Sequence, residues 1–328
     1  LLSIWMLLGT LFLFLVVFLE TENLPIIYIV FFLVGIALGF GYPCCLAYFA
    51  DSIDTEKKGK IGGIVLFTAF LGTFLIGSLT SILSFVESVL VYTVWRAMGF
   101  ITFQMVKGKE GKIEEKNVEA SYKLIVSEKT FTLYVVPWIM FCIVNFFVGP
   151  LQEHYWSIDV FNEVLIVEFG IASIATLFGG YFADIIGRKR VVISGYILLG
   201  IGYAVLSIFP MNTISIGIYT VFDGIAWGLF FLIFLIVIWG DLADNRAKEK
   251  YYLLGALPFL ISSYLWVIVA PFAGVISISA SFSLASFFLF LSVIPLMYAP
   301  ETLPEKKIKE REIKDYIEKA KKIKEKHA

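Results

Sequence analysis

Histidine is almost missing from this chain. His154 and His327 are the only two, too far apart in sequence to suggest a metal-binding cluster. Cysteine is nearly as scarce: Cys44, Cys45 and Cys142 all lie inside apolar runs. No extracellular disulfide framework can be built from them, and they read as reduced packing residues. Charge is thin as well, at 16% of residues against 59% hydrophobic, with a mean hydropathy of +0.88. That balance excludes a soluble globular protein, so most of the chain has lipid as its solvent. The net charge of −1 and pI near 6.2 leave no basic surplus for nucleic acid. No His, Asp, Glu or Cys constellation has catalytic spacing, which disfavours an intramembrane hydrolase, and no cofactor is expected. A methionine or basic leader is also lacking, since Leu1 already stands in an apolar run. The chain is therefore expected to be incomplete at its N-terminus.

What is present is a series of long apolar runs. A span needs about 20 mostly apolar residues, and ten segments meet that need: 1–19, 25–50, 61–80, 82–106, 131–150, 160–183, 191–210, 213–240, 251–273 and 276–299. All are expected to be helices, because in lipid the backbone must satisfy its own hydrogen bonds within each segment. Loops 51–60, 107–130, 183–190 and 241–250 and the tail after Pro300 hold 25 of the 26 basic residues, Arg96 being the exception. By the positive-inside rule these loops are cytoplasmic, which gives a multi-pass protein of the cell membrane with both ends inside. The alternate loops Glu20–Pro25, Pro150–Asp159 and Pro210–Thr213 fall outside, with Tyr155 and Trp156 as interfacial aromatics.

The chain also repeats itself. Gly35-Ile36-Ala37-Leu38-Gly39 matches Gly224-Ile225-Ala226-Trp227-Gly228, and Asp51-Ser52-Ile53-Asp54 matches Asp241-Leu242-Ala243-Asp244, at an offset of 189 to 190 residues. Gly-x-x-x-Gly alone recurs wherever membrane helices pack closely, but the acidic turns at the same offset argue for a true repeat. On that offset, residues 131–190 have no first-half counterpart. Two spans, about 60 residues, are then expected ahead of Leu1. The organisation expected is an N-terminal bundle over 1–106, a cytoplasmic linker over 107–130, a six-helix bundle over 131–303 and a cytoplasmic tail helix over 304–328.

Gly180-x-x-x-Asp184-x-x-Gly187-Arg188-Lys189-Arg190, set between two spans, resembles the cytoplasmic-loop signature of the major facilitator superfamily, with Ile185 where that family usually has a base. Pro300-Glu301-Thr302 resembles the closing motif of its sugar-porter branch. The resemblance implies an all-α, two-bundle fold with ten transmembrane helices present of twelve. It also implies a secondary transporter that moves a small polar solute, sugar-like or another organic compound, by alternating access. An uncoupled facilitator and a non-transporting sensor or scaffold on the same fold are the alternatives.

Two sets of residues carry the functional expectations. At the cytoplasmic side, Gly180 and Gly187 permit close approach, and Asp184 can accept hydrogen bonds from the N-terminal end of a neighbouring helix. With Arg188, Arg190, Asp51, Asp241 and Glu301 they would form an ion-paired latch, although Arg188 to Arg190 are equally topology-setting bases. Within the membrane, Asp223 lies about 15 Å below the outer end of its span, flanked one turn either side by Tyr219 and Trp227. A substrate or proton site there competes with a carboxylate that merely ties helices together. Asn145, Trp138, Tyr134, Tyr42 and Tyr48 are further candidates for a polar path, with aromatic packing as the rival explanation. Arg96, too deep to snorkel, is a further candidate for the substrate or proton path and is expected to pair with an acid across the bundle, in a structural or a functional role. Glu168, about 24 Å along the helix from Asp184, reads as an interfacial carboxylate at the outer boundary. The partners implied are a solute, the bilayer and, through Asp223, protons.

Overall fold

A computed structural model describes residues 2–19, 24–106, 121–243 and 247–303 of the 328-residue chain, without the side chains of Leu38 and Val106. The expected tail helix over 304–328, the linker up to residue 120, and Asp244 and Arg246 lie outside the described residues. The described part is an all-α, multi-pass membrane protein. We label its helices α1 (Leu2–Phe18), α2 (Leu24–Ser52), α3 (Thr55–Thr80), α4 (Phe85–Val106), α5 (Tyr122–Ser127), α6 (Lys129–Trp156), α7 (Ile158–Ile186), α8 (Arg188–Ile208), α9 (Thr213–Ala243), α10 (Lys248–Val275) and α11 (Ile278–Tyr298). Nine of them are long and apolar enough to cross a bilayer; α1 is a shorter apolar helix. All ten expected segments are thus helical.

Internal prolines at positions 43, 137, 150, 258 and 295 do not end their helices, as befits segments with no water to capture the freed carbonyls. Pro150 matters most. The expected outer loop Pro150–Asp159 is instead the last two turns of α6 followed by a reversal at Ser157, which adopts a φ of 68°. Trp156 is accordingly not an interfacial anchor. It is buried, and its Nε1 donates to the Pro210 carbonyl at 3.0 Å.

Helices α6 to α11 enclose an aromatic core. Trp138 stacks on Phe141 and Phe234, and Phe230 meets Tyr196 with ring centroids 4.5 Å apart. Helix α9 relaxes into a π turn over Phe231–Val237, where Tyr252 Oη donates to the Ile236 carbonyl at 2.5 Å. In the first half, α1 packs on α2 and α4, whereas α3 packs mainly on α7 and on the π turn of α9. Helix α2 also reaches α10. The two halves of the sequence are therefore joined along α3–α7 and α2–α10. The repeat glycines divide accordingly: Gly224 and Gly228 press against α7 at Ile171 and Ala172, while Gly35 and Gly39 have no neighbour within 4 Å of where a Cβ would stand.

Candidate functional site

The first functional region lies at the end of the bundle where the lysine- and arginine-bearing turns collect. Gly180 comes so close to Gly59 that neither has room for a side chain, and Gly63 abuts the Thr176 carbonyl in the same way. Thr176 Oγ1 donates to the Gly63 carbonyl at 3.2 Å. This approach brings the first turn of α3 over Asp184, whose carboxylate accepts from the Gly59 and Lys60 N–H groups at 3.0 and 2.7 Å. The carboxylate thereby satisfies backbone donors that a helix start leaves unpaired and sits at the positive end of the helix dipole.

Arg188 extends this arrangement. It pairs with Asp184 at 3.0 Å and with Asp241 at 3.3 Å, and donates to the carbonyls of Ala183 and Thr55. Asp241 in turn pairs with Lys58 at 2.9 Å. Arg188 is fully buried and Lys58 is 3% exposed, so these charges have given up water and depend on one another. Glu301 accepts from the N–H groups of Arg188 and Lys189 at the start of α8, at 2.8 and 3.1 Å, and from those of Thr302 and Leu303. Gly187, at φ 103°, supplies the reversal beneath it. Asp51 and Lys248 form a separate, more exposed pair between α2 and α10. Of the residues expected here, Gly180, Asp184, Gly187, Arg188, Asp241 and Glu301 are brought together. Arg190 is exposed and stands apart from them.

The second region is a cavity of about 1120 Å³ bounded by α2, α3, α6, α7, α9 and α10. The expected stripe Tyr219, Asp223 and Trp227 lines it, as do Asn145 and Tyr42. Tyr219 Oη donates to Asp223 Oδ2 at 3.0 Å and lies 3.2 Å from the Tyr203 hydroxyl; Trp227 also reaches the Asp223 carboxyl. Trp138 and Tyr134 serve structure instead, donating to the carbonyls of Gly255 and Pro300 at 2.9 and 2.6 Å. Tyr48 packs edge-on against Phe103.

Three placements differ from expectation. Glu168 is not an interfacial carboxylate: it is 8% exposed, lines the cavity and stands within hydrogen-bonding reach of Asp223. Helix α7 begins at Ile158, which puts Glu168 ten residues in, the same depth as Asp223 in α9, and the close packing at Gly224 sets the two helices side by side there. Arg96 does not reach an acid or the cavity. It lies against α1, with its guanidinium 5.4 Å from the Trp5 ring centre, and its Nε and Nη2 have no hydrogen-bond partner among the described residues. Gln152, which sequence reasoning passed over, is 5% exposed, lies within reach of the Tyr219 hydroxyl and lines the cavity, with its Nε2 making no well-formed hydrogen bond among the described residues. The signal for it was a polar amide two residues past Pro150, hidden by treating that proline as a helix end.

Two carboxyl groups can hydrogen-bond to each other only when one holds a proton, so the Glu168–Asp223 contact is a place where a proton can be kept or exchanged. No group of three or more His, Cys, Asp or Glu that could hold a metal occurs among the described residues. Compared with family models and with curated proteins, the chain matches none.

Proposed function

We propose that this chain is a secondary transporter of the major-facilitator type, moving a small organic solute through the cavity by alternating access, with Glu168 and Asp223 as its proton site. In this reading α1 to α4 belong to one bundle and α6 to α11 to the other. The basic turns are cytoplasmic, following the distribution of lysine and arginine. One observation carries the reading: the cavity is walled by helices from both halves of the sequence, and those same halves are tied together at one end by the Lys58–Asp241–Arg188–Asp184 cluster. A buried carboxyl pair inside a cavity, with a charged closure about 25 Å further along the helices, is what rocking of two bundles around a fixed site requires. Intramembrane carboxylates are costly and persist where they serve a path.

The test is a flux measurement. Proteoliposomes loaded with a pH-sensitive dye are challenged with sugars, amino acids, carboxylates and organic amines. A transporter of this kind gives proton movement evoked by at least one solute class and lost in Asp223→Asn. Solute uptake with no proton movement would make it a facilitator, and binding without uptake of any class would make it a sensor; either outcome overturns the proposal.

A further inference from the structure

The cavity's chemistry narrows the solute, on the reading that the cavity is the solute site. Its two carboxylic acids, Glu168 and Asp223, face no compensating base among the described residues: none of those lining the cavity is Lys, Arg or His. Ten of the 25 lining residues are aromatic, and the rings of Trp227 and Phe259 meet edge to face beside Asp223. Outside that aromatic wall the side-chain hydrogen-bonding groups are few. A polyol placed here would leave most of its hydroxyls without partners, which disfavours the sugar-like solute expected from the Pro300-Glu301-Thr302 resemblance. Aromatic faces and carboxylates together attract the opposite kind of molecule, a cation with apolar bulk. Gln152 adds a further sign of a ligand: apart from the neighbouring Tyr219 hydroxyl, its buried Nε2 finds no partner among the described residues and can donate to an acceptor atom on whatever occupies the cavity.

We propose that the solute is an organic cation, an ammonium or like-charged group on an apolar or aromatic body. Its charge sits on the Glu168–Asp223 pair and its body lies against Trp227, Tyr219 and Phe259. In the empty site the pair holds one proton between its oxygens. An arriving cation takes that proton's place, so one positive charge enters as one leaves and the net charge of the buried site is unchanged. The titratable groups that face the pair are Tyr219 from α9 and Tyr203 from α8, with Tyr42 of α2 on the same cavity. The polar side chains that helix α6 contributes, Asn145, Gln152 and Trp156, are neutral, and α3 and α10 contribute rings and aliphatic groups.

The full chain in lipid nanodiscs is titrated with labelled tetraphenylphosphonium and, in parallel, with neutral triphenylphosphine oxide, subtracting uptake by empty nanodiscs. Saturable binding of the cation is expected, with clear preference over the neutral probe. Affinity should fall about tenfold or more in both Glu168→Gln and Asp223→Asn. Monodispersity and melting temperature establish that each variant is folded. Trp227→Leu provides a second readout that leaves the acids in place, and it should weaken the cation more than the neutral probe. Equal binding of both probes, binding of neither, or unchanged cation affinity in both carboxyl variants would overturn the proposal. These failures are separable from failure of the transport reading. A chain that ignores the cation yet moves another solute in vesicles loses the cation assignment alone. One that binds the cation through the pair yet carries nothing loses transport alone.

Discussion

Lys58 and Asp241 stand 183 residues apart in sequence and meet at 2.9 Å, with the lysine 3% exposed. One belongs to the first turn of α3 and the other to the end of α9, so the bond crosses the boundary between the two halves of the chain. Asp241 is shared with Arg188, which also reaches Asp184, and Asp184 in turn caps α3. Removal of Asp241 therefore leaves Lys58 buried without its counter-ion, whereas Arg188 keeps Asp184 and, if Lys58 is lost, Asp241 keeps Arg188.

That circuit should behave asymmetrically. Asp241→Asn leaves Lys58 and Arg188 facing each other without their common anion, at a cost of about 3–5 kcal/mol to the closed arrangement. Lys58→Met leaves Asp241 still paired with Arg188 and should cost less. Spin labels at Ser52 and Glu249 report on this end, and labels at Ser84 and Met211 on the other. In Asp241→Asn the first distance should lengthen and the second shorten. Unchanged distances would show that the charges do not hold this end shut.

The α3–α7 contact rests on absent side chains. A Cβ on Gly180 would meet the backbone carbonyl of Gly59, and one on Gly63 would meet that of Thr176. Backbone cannot step aside as a side-chain tip can, so Gly180→Ala and Gly63→Ala should each destabilise by about 1–3 kcal/mol. Gly170 and Gly217 lie on the neighbouring faces of α7 and α9 with nothing within 4 Å. Alanine at either should be neutral or stabilise by about 0.5–1 kcal/mol through helix propensity. Thermal unfolding in one detergent compares the four variants, and equal shifts would remove the close-packing explanation.

Gly187 combines two constraints, a φ of 103° and a Glu301 carboxylate where a Cβ would stand. Gly187→Ala is expected to cost about 1–3 kcal/mol from backbone strain, before any displacement of Glu301 is counted. Displacement would in addition free the α8 N–H groups that Glu301 accepts. Adding Glu301→Ala to Gly187→Ala should therefore cost less than the sum of the two single changes. Additive melting shifts would mean that the residues act independently.

How far the sequence foretold this arrangement depends on what each residue needed. The ten helices followed from apolar length alone, and the acceptance of backbone N–H groups at a neighbouring helix start by Asp184 from glycine spacing around an acid. Asp223 was conspicuous because a lone charge deep in an apolar run has few explanations. Glu168 was not, because its depth was counted along one helix from Asp184, whereas its setting is decided by a second helix pressed against Gly224. Gln152 was hidden by Pro150, which ends helices in water but not in lipid. Arg96 shows the opposite error: a deep charge suggests a partner of opposite sign, and the structure supplies the ring of Trp5 and the small surface of Gly9. Which face a side chain takes is set by neighbouring helices, and no periodicity within one run reports it.

On the transport reading, Asp223 and Glu168 would share one proton site between two helices, and the two should not be equivalent. Asp223 is held by Tyr219, itself in contact with Tyr203, and is reached by Trp227, so its carboxylate is fixed by donors on the α8–α9 side. Glu168, on α7, reaches Asp223 but, among the described residues, no Tyr or Trp donor holds it in this way. Asp223→Asn removes the fixed member and leaves an amide that cannot give up a proton. Proton-driven accumulation of the transported solute in vesicles should then fall to the level seen without a pH gradient, while solute-for-solute exchange persists. Tyr219→Phe removes only the orienting donor. It should lower the rate of proton-driven uptake by about tenfold, the scale of one hydrogen bond to a charged group, with the final accumulation unchanged. Full pH-driven accumulation in Asp223→Asn would dissociate the pair from coupling, whatever its part in binding.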